Sequence, residues 1–504
     1  MSNKKVYIVI TRVLPSGPMG KKCTFTINGI CSCDREALPG SKHTYCIFHE
    51  KKENKNFKTF IKELSSQIQE KNYDFRGYYF PEKCEPYFEY MDFSRHVDFS
   101  YAIFGGDISF KKTTFRKGAD FFNTTFLQSA DFEECSFLGD IFFKGAVFRD
   151  TANFSYSHFK MRSRFGGSAF YGEVTFSEAD FLGEIDMVDT HFFNSVKVES
   201  ILFPGPANFM GSTFEKDVIF NTVTFCEAAE FWKSRFFGNA QFIDTVFENE
   251  WNFEDVRFFN NADFLNIEAK RMGNFKNCVF RGFTQIRPGG NVGLILCGSS
   301  FLNRGKIKLN GRISRFVDAE ISDIDFSDSL WPEDYVIKDE IELFSDHEGE
   351  NEQLQLFDVE KIYRNFKMSM NRCGNYAEAG EFYYRENECK RKRITGWNRL
   401  WMEIYRVICG YGEKPLNVIT CSLAIIFGFT GAHVFCGSIC FSNDIVLRNL
   451  WESFYFSVIT FTTLGYGDFH PLNGIGQLLS MMEAFIGAFM IAVFVLVFGK
   501  KMIR

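Results

Sequence analysis

Between residues 88 and 286 the chain is organised by phenylalanine. From Phe88 and Phe93 the ring recurs at Phe99, Phe104, Phe110 and Phe115 and runs on to Phe275 and Phe280, with gaps that alternate between five and six residues. Met187, Val198 and Ala269 stand in for it, Ile286 closes the series, and about seventeen units of eleven residues pass without a slip. An eleven-residue period also suits a right-handed helical coiled coil. On a helix, however, a five-residue step rotates by about 140° and splits the two Phe sets onto different faces. On one flat strand the same step reverses the face. Both sets share an interior only if the chain turns a corner between successive rings. Small residues two positions ahead of the ring, such as Ala119, Ala130, Ala152 and Ala262, then fit beside it in a narrow tube.

The phrases Ala119-Asp120-Phe121, Ala130-Asp131-Phe132, Ala152-Asn153-Phe154, Ala179-Asp180-Phe181 and Ala262-Asp263-Phe264 resemble the pentapeptide-repeat family. That resemblance implies a right-handed quadrilateral β-solenoid over residues 86–290, with the central residue of each unit stacked inside. The extra residue in every second unit departs from the family pattern. Two elevens per turn give about 22 residues per coil, hence eight or nine coils of about 4.8 Å and a rod of roughly 40 Å. Nearest-neighbour stacking holds such a rod and its ends need caps. It reads as a scaffold or a docking surface for a cytosolic protein.

The flanks follow other patterns. Residues 1–85 form a leader in which an amphipathic helix is predicted over 56–70, from apolar Phe57, Phe60, Ile61, Leu64 and Ile68. Ahead of it lie Cys23, Cys31, Cys33, His43, Cys46 and His49. Cys31-x-Cys33 followed by Cys46-x-x-His49 supplies three sulfurs and an imidazole, a tetrahedral zinc set, with free cytosolic thiols as the alternative. Pro288-Gly289-Gly290 breaks the ladder. Residues 291–350 read as closing strands and a cap, and 351–396 as a helical hairpin linker, 355–372 and 376–393, with Gly374-Asn375 as the stop between its helices.

Two long apolar runs occupy the last hundred residues, at about 416–436 and 474–499, each long enough to span a bilayer. The helix predicted over 449–462 between them is too short to cross and leads into Thr462-Thr463-Leu464-Gly465-Tyr466-Gly467-Asp468. That string and its flanks resemble the two-transmembrane potassium channels, with Leu464 in place of the commoner valine. The resemblance, over residues 397–504, implies a homotetramer, because one chain carries one filter. It implies that Thr463, Leu464, Gly465, Tyr466 and Gly467 offer carbonyls to potassium ions, that Asp468 stands at the outer mouth with Tyr455 as partner, and that Gly487 is an inner-helix hinge, for which close helix packing is the equal alternative. Ile491 and Val495 follow Gly487 at one-turn steps as candidate pore lining. Glu483 sits inside a span, where an ionisable group needs a partner, and is read as support behind the filter. His433 and His470 are read as solvated residues of the outer loops. Lys390-Arg391-Lys392-Arg393 before the first span and Lys500-Lys501 after the second place both termini in the cytoplasm of a cell with a multi-pass plasma or inner membrane protein. The basic run itself is read as a headgroup anchor.

Composition adds exclusions. The 504 residues include 64 phenylalanines, far above ordinary usage and explained by the ladder, while a formal charge of −6 argues against a nucleic-acid surface. Fifteen cysteines are scattered and Met1 to Leu14 has no secretory core, which reads as a cytosolic N-terminal part. Neither a nucleophile–base arrangement nor a nucleotide fingerprint appears, so an enzyme is not expected. The reading is a tetrameric potassium channel with a regulatory or localising cytosolic solenoid. The alternatives are a tethered interaction scaffold with a vestigial pore, or a cation channel of relaxed selectivity.

Overall fold

A computed structural model describes residues 21–31, 33–51, 55–82, 87–345, 352–441, 445–447 and 450–503. Met1 to Leu14, read above for a leader sequence, lies outside them. The chain divides into two units, Met1–Pro332 and Glu333–Arg504.

The first unit is a β-solenoid of short parallel strands in four stacked sheets, the longest of 11 and 12 strands. Phe126 pairs with Phe104 below and Phe148 above, and Ala130 with Ile108 and Ala152, so each coil consists of two successive repeat units, as the ladder predicts. The rings fill the tube. Phe132 is fully buried and stacks on Phe110 and Phe154 at 5.0 Å each, while Phe121 meets it edge-on at 5.7 Å. Phe132→Ala should therefore cost about 3–5 kcal/mol, through lost transfer energy and an unfilled cavity, read as a lower melting temperature of the purified protein.

One corner of every eleven-residue unit has a fixed backbone. Tyr101, Lys112, Asn123, Glu134, Gly145 and Tyr156 all have left-handed backbone, with φ between 52° and 68°, and the pattern continues every eleven residues to Asn277. Each lies two positions after a core ring, inside the five-residue gap, and turns that corner; the extra residue falls in the six-residue gap that follows. The next side chain turns inward and is small and polar at several corners: Thr124, Ser157 and Ser212 donate to the carbonyls of Phe99, Phe132 and Met187 at 2.8, 2.6 and 2.6 Å. In three of the Ala-Asp/Asn-Phe phrases the polar residue closes the turn from outside: Asp120, Asp131 and Asn153 accept from the amides two residues on at 2.8, 2.9 and 3.0 Å.

Where Ala269 leaves the ladder short of a ring, the gap is filled from the next column. Trp251, at a position usually held by alanine, is buried and stacks on Phe247 at 4.6 Å. The following residue of that column is Gly273, where a Cβ would lie 2.4 Å from the Trp251 ring.

The estimate of eight or nine coils falls short because the ladder does not end at Ile286. Ile295 pairs with Arg315, Ser300 with Glu320 and Asn310 with Leu330, a step of 20 residues after one of 21 and the 22 of the earlier coils. Past Pro288-Gly289-Gly290 the left-handed corners persist at Gly298 and Asp318, with φ of 68° and 57°, while the last coil steps in plain fives with Phe316, Ile321 and Phe326 buried in the axis. The eleven strands of one continuous sheet correspond to a solenoid roughly 50 Å long. At its N-terminal end helix α1 (Phe57–Gln69) lays buried Phe60 and Leu64 over the first coil, its Asn56 side chain accepting from the Thr59 amide.

The second unit is helical: α2 (Lys338–Ser345), α3 (Glu352–Arg372), α4 (Tyr376–Arg393), α5 (Trp397–Cys409), α6 (Pro415–Cys436), α7 (Leu450–Phe461) and α8 (Gly474–Ile503). Helices α3 and α4 form the hairpin, turning at Gly374 with φ 77° and packing Phe366 on Phe382 at 5.1 Å. Helices α6 and α8 have the length and hydropathy of membrane spans. A small antiparallel sheet, Ile439–Phe441, Ile445–Leu447 and Phe469–Pro471, ties the ends of α6 and the 462–468 segment together.

Candidate pore and metal sites

Helix α7 ends on the segment it presents. The Thr463 amide donates to the Thr460 carbonyl at 3.0 Å and the Leu464 amide to Ile459 at 2.9 Å. The C-terminal carbonyls of α7, the negative end of its dipole, thus lie beside the start of the 463–467 run. Within that run Thr463, Gly465 and Gly467 have φ of 59°, 51° and 84°. A strand sends successive carbonyls to opposite sides. Alternating left- and right-handed residues can turn them to one side, which is what a row of ion-coordinating oxygens requires. The branched Thr463 holds a conformation that disfavours it by about 1–2 kcal/mol. In the single chain the run is unburied, with Leu464 58% and Tyr466 69% exposed. Asp468 accepts from the Phe469 amide at 3.1 Å and lies against the Tyr455 hydroxyl.

Behind α7 stands a buried polar cluster. Glu483 on α8 is fully buried; one carboxylate oxygen accepts from the Ser457 hydroxyl of α7, and the other lies 3.4 Å from Nε2 of His433. His433 is likewise fully enclosed, correcting its reading as a solvated loop residue. The signal was available: it lies inside the first apolar run, where the argument applied to Glu483 holds equally. His470 is exposed, as read. Gly487 packs on the end of α7, where a Cβ would stand 2.0 Å from the Phe461 carbonyl oxygen. Ile491 and Val495 stand 39% and 62% exposed along α8.

A second Gly-Tyr-Gly, Gly410–Gly412, makes the corner between α5 and α6. Its Tyr411 is buried and donates to Glu388 of α4 at 2.8 Å, so the tripeptide alone marks a turn and only its flanks distinguish the two copies. The basic run at the end of α4 is engaged within the protein instead of being spread over a surface: Arg391 pairs with Glu388 and Glu403, Lys392 with Glu340 and Arg393 with Glu360. Lys390 is exposed. Glu340, 1% exposed, also holds Arg385 at 2.5 Å and accepts from Tyr363 at 2.6 Å. Glu340→Gln leaves two cations facing a neutral amide and should cost about 3–5 kcal/mol, seen as early melting of the helical unit. At the other end of that unit Lys500 reaches Glu413, joining the end of α8 to the start of α6.

In the leader, Cys23, Cys33, Cys46 and His49 bring their donor atoms within 4.8 Å of one another. Three of these were expected. The fourth is Cys23 in place of Cys31, brought in because the Cys23 amide bonds the Arg35 carbonyl and the Cys46 amide bonds the Cys23 sulfur, pairings that local spacing does not reveal. Cys31 lies on the strand Ile30–Cys31, its side chain outside the described residues. Sulfur–sulfur separation for Cys33 and Cys46 is 3.7 Å, and Nδ1 of His49 is 3.5 Å from Cys23 and 3.2 Å from Cys46. A tetrahedral ion with bonds of about 2.3 Å to sulfur and 2.0–2.1 Å to nitrogen needs edges of about 3.7 and 3.6 Å. Hydrogen bonds among the three thiols hold Cys46 below and push Cys33 above the usual thiol range. Nε2 of His49 faces the Arg76 carbonyl at 3.0 Å; as a donor there it fixes the tautomer that leaves Nδ1 free to coordinate.

With this geometry in place, comparison with known families divides the chain in the same way. A family model described as an ion channel matches residues 419–504, and one described as pentapeptide repeats matches residues 121–165. The chain thus joins a pentapeptide-repeat solenoid to an ion-channel domain, with α6 and α8 as its membrane helices. Comparison with curated proteins and with solved structures yields no significant match.

Proposed function

We propose that four copies of this chain assemble a potassium-selective channel in a cell membrane, with both termini in the cytoplasm. The observation that carries this reading is the alternation of left-handed residues at Thr463, Gly465 and Gly467, anchored to the end of α7. Four such runs about one axis offer rings of carbonyls from Thr463, Leu464, Gly465, Tyr466 and Gly467 in place of the water around K⁺. Asp468, held by Tyr455, collects cations at the outer mouth, and Gly487 with Ile491 and Val495 sets the inner mouth. Conduction calls for no catalytic group. The solenoid lies in the cytoplasm and regulates or localises the pore by docking a protein partner. The full-length protein in liposomes tests the pore: K⁺ efflux should exceed Na⁺ efflux by at least about tenfold, and equal fluxes would contradict it.

Cys23, Cys33, Cys46 and His49 hold one structural zinc that fastens the leader to the first coil. Metal analysis of the purified protein should give one zinc per chain, and Cys46→Ser should remove it and lower the melting temperature. A stoichiometric protein free of metal, with the leader still protected from protease, would argue for plain thiols.

A further inference from the structure

We infer that His433 is a positioning residue of the filter, acting through Glu483; the inference rests on the reading of residues 463–467 as a conducting filter. Three helices meet at this point through side chains that are all fully buried: His433 of α6, Glu483 of α8 and Ser457 of α7. The imidazole is fixed on three sides. Nδ1 lies 2.7 Å from the Ser438 hydroxyl, Nε2 lies 3.4 Å from Glu483, and the ring stands edge-on to Phe456 at 5.2 Å and 85°.

The carboxylate is the piece that needs explaining. An enclosed carboxyl between membrane helices is tolerated only when its oxygens have partners. Ser457 serves one oxygen; the other makes no hydrogen bond among the described residues, and Nε2 of His433, also without one, faces it at 3.4 Å as its polar neighbour of opposite character. The Ser457 hydroxyl has two acceptors in reach, Glu483 of α8 and the Ile426 carbonyl of α6 at 3.1 Å, and with Glu483 held both contacts pin α7 at that residue. Two positions further, Ile459 offers the carbonyl that receives the amides of Leu464 at 2.9 Å and Gly465 at 3.4 Å, which tie the filter run to its helix. His433 reaches the filter through Glu483, Ser457 and one half-turn of helix, touching neither the ion path nor the filter itself.

The test compares K⁺ and Na⁺ flux through the full-length protein in liposomes. In His433→Ala the K⁺/Na⁺ flux ratio should fall at least about tenfold, because α7 and the filter amides lose their fixed register. His433→Gln, which keeps a donor for Glu483, should recover most of the ratio, a rescue that simple volume loss would not predict. Should His433→Ala fail to assemble, the double variant His433→Leu with Glu483→Leu removes both polar groups at comparable volume, and its ratio should also be low. A wild-type ratio in either the alanine or the double variant overturns the inference, as does an equal fall of both fluxes. Absence of K⁺ flux from the wild-type protein overturns the filter reading and the inference with it; normal wild-type selectivity with unaltered variants overturns the inference alone.

Discussion

Gly465→Ala should reduce K⁺ flux by about a thousandfold while leaving the solenoid and the helical hairpin intact. At φ 51° the added side chain stands in left-handed backbone, which disfavours an L-residue by about 1 kcal/mol or more. No atom of the same chain lies within 4 Å of the Cβ position, so the effect is conformational and not a clash. A pore of four chains incurs it four times, about 4 kcal/mol, and that is about three powers of ten in the population of the conducting arrangement. Gly467→Ala, at φ 84°, should behave alike. Flux assays on liposomes with matched protein content read the effect directly. Flux within fivefold of wild type would mean that the 463–467 backbone is not what the ion meets.

Gly487→Ala should be worse for the protein than for the filter alone. A Cβ there would stand 2.0 Å from the Phe461 carbonyl oxygen and 2.9 Å from its Cα, and the obstacle is backbone at the end of α7, which no rotamer change can clear. Helix α8 must then back away from α7, and overpacking of this kind costs about 1–3 kcal/mol or more per chain. Loss of assembly, with a lower melting temperature, should accompany loss of flux. This separates close packing from a pure hinge, since a hinge substitution alters opening without unfolding the domain. Gly499→Ala on the same helix, where nothing lies within 4 Å, serves as the control and should leave stability unchanged or slightly raised. Gly487→Ala with normal melting and altered opening would favour the hinge.

Much of this molecule is legible in the spacing of single residue types. The five-and-six alternation of Phe contains the length of the coil, because a ring that must reach one axis from every corner fixes where the corners fall. What the ladder does not contain is its own continuation. Beyond Ile286 the core residues become Leu296, Phe316, Ile321 and Phe326, a mixture too common to stand out from background, although the backbone goes on coiling at a slightly shorter step. The swap of Trp251 for Ala269 is likewise a three-dimensional event, visible only once the columns of successive coils are laid side by side.

In the sites, local chemistry was readable and partners were not. Cys33, Cys46 and His49 follow from ligand spacing, whereas Cys23 joins them through a backbone pairing across the leader. Glu483 announces itself as an acid in an apolar run, yet its imidazole neighbour belongs to the other apolar run, on the far side of α7 and the filter string in sequence. The basic run of α4 looks like a surface anchor in one dimension. Its acidic partners, Glu340 and Glu360, come from helices α2 and α3, and helix packing puts them there.

The central claim is that four copies of this chain place the 463–467 carbonyls around one axis. An electron-microscopy map of the full-length protein purified in K⁺ tests it most directly. The account predicts a four-fold pore domain with a row of ion densities between the filter segments. A particle with one or two copies, or with Tyr466 and its neighbours turned away from any common axis, would contradict it.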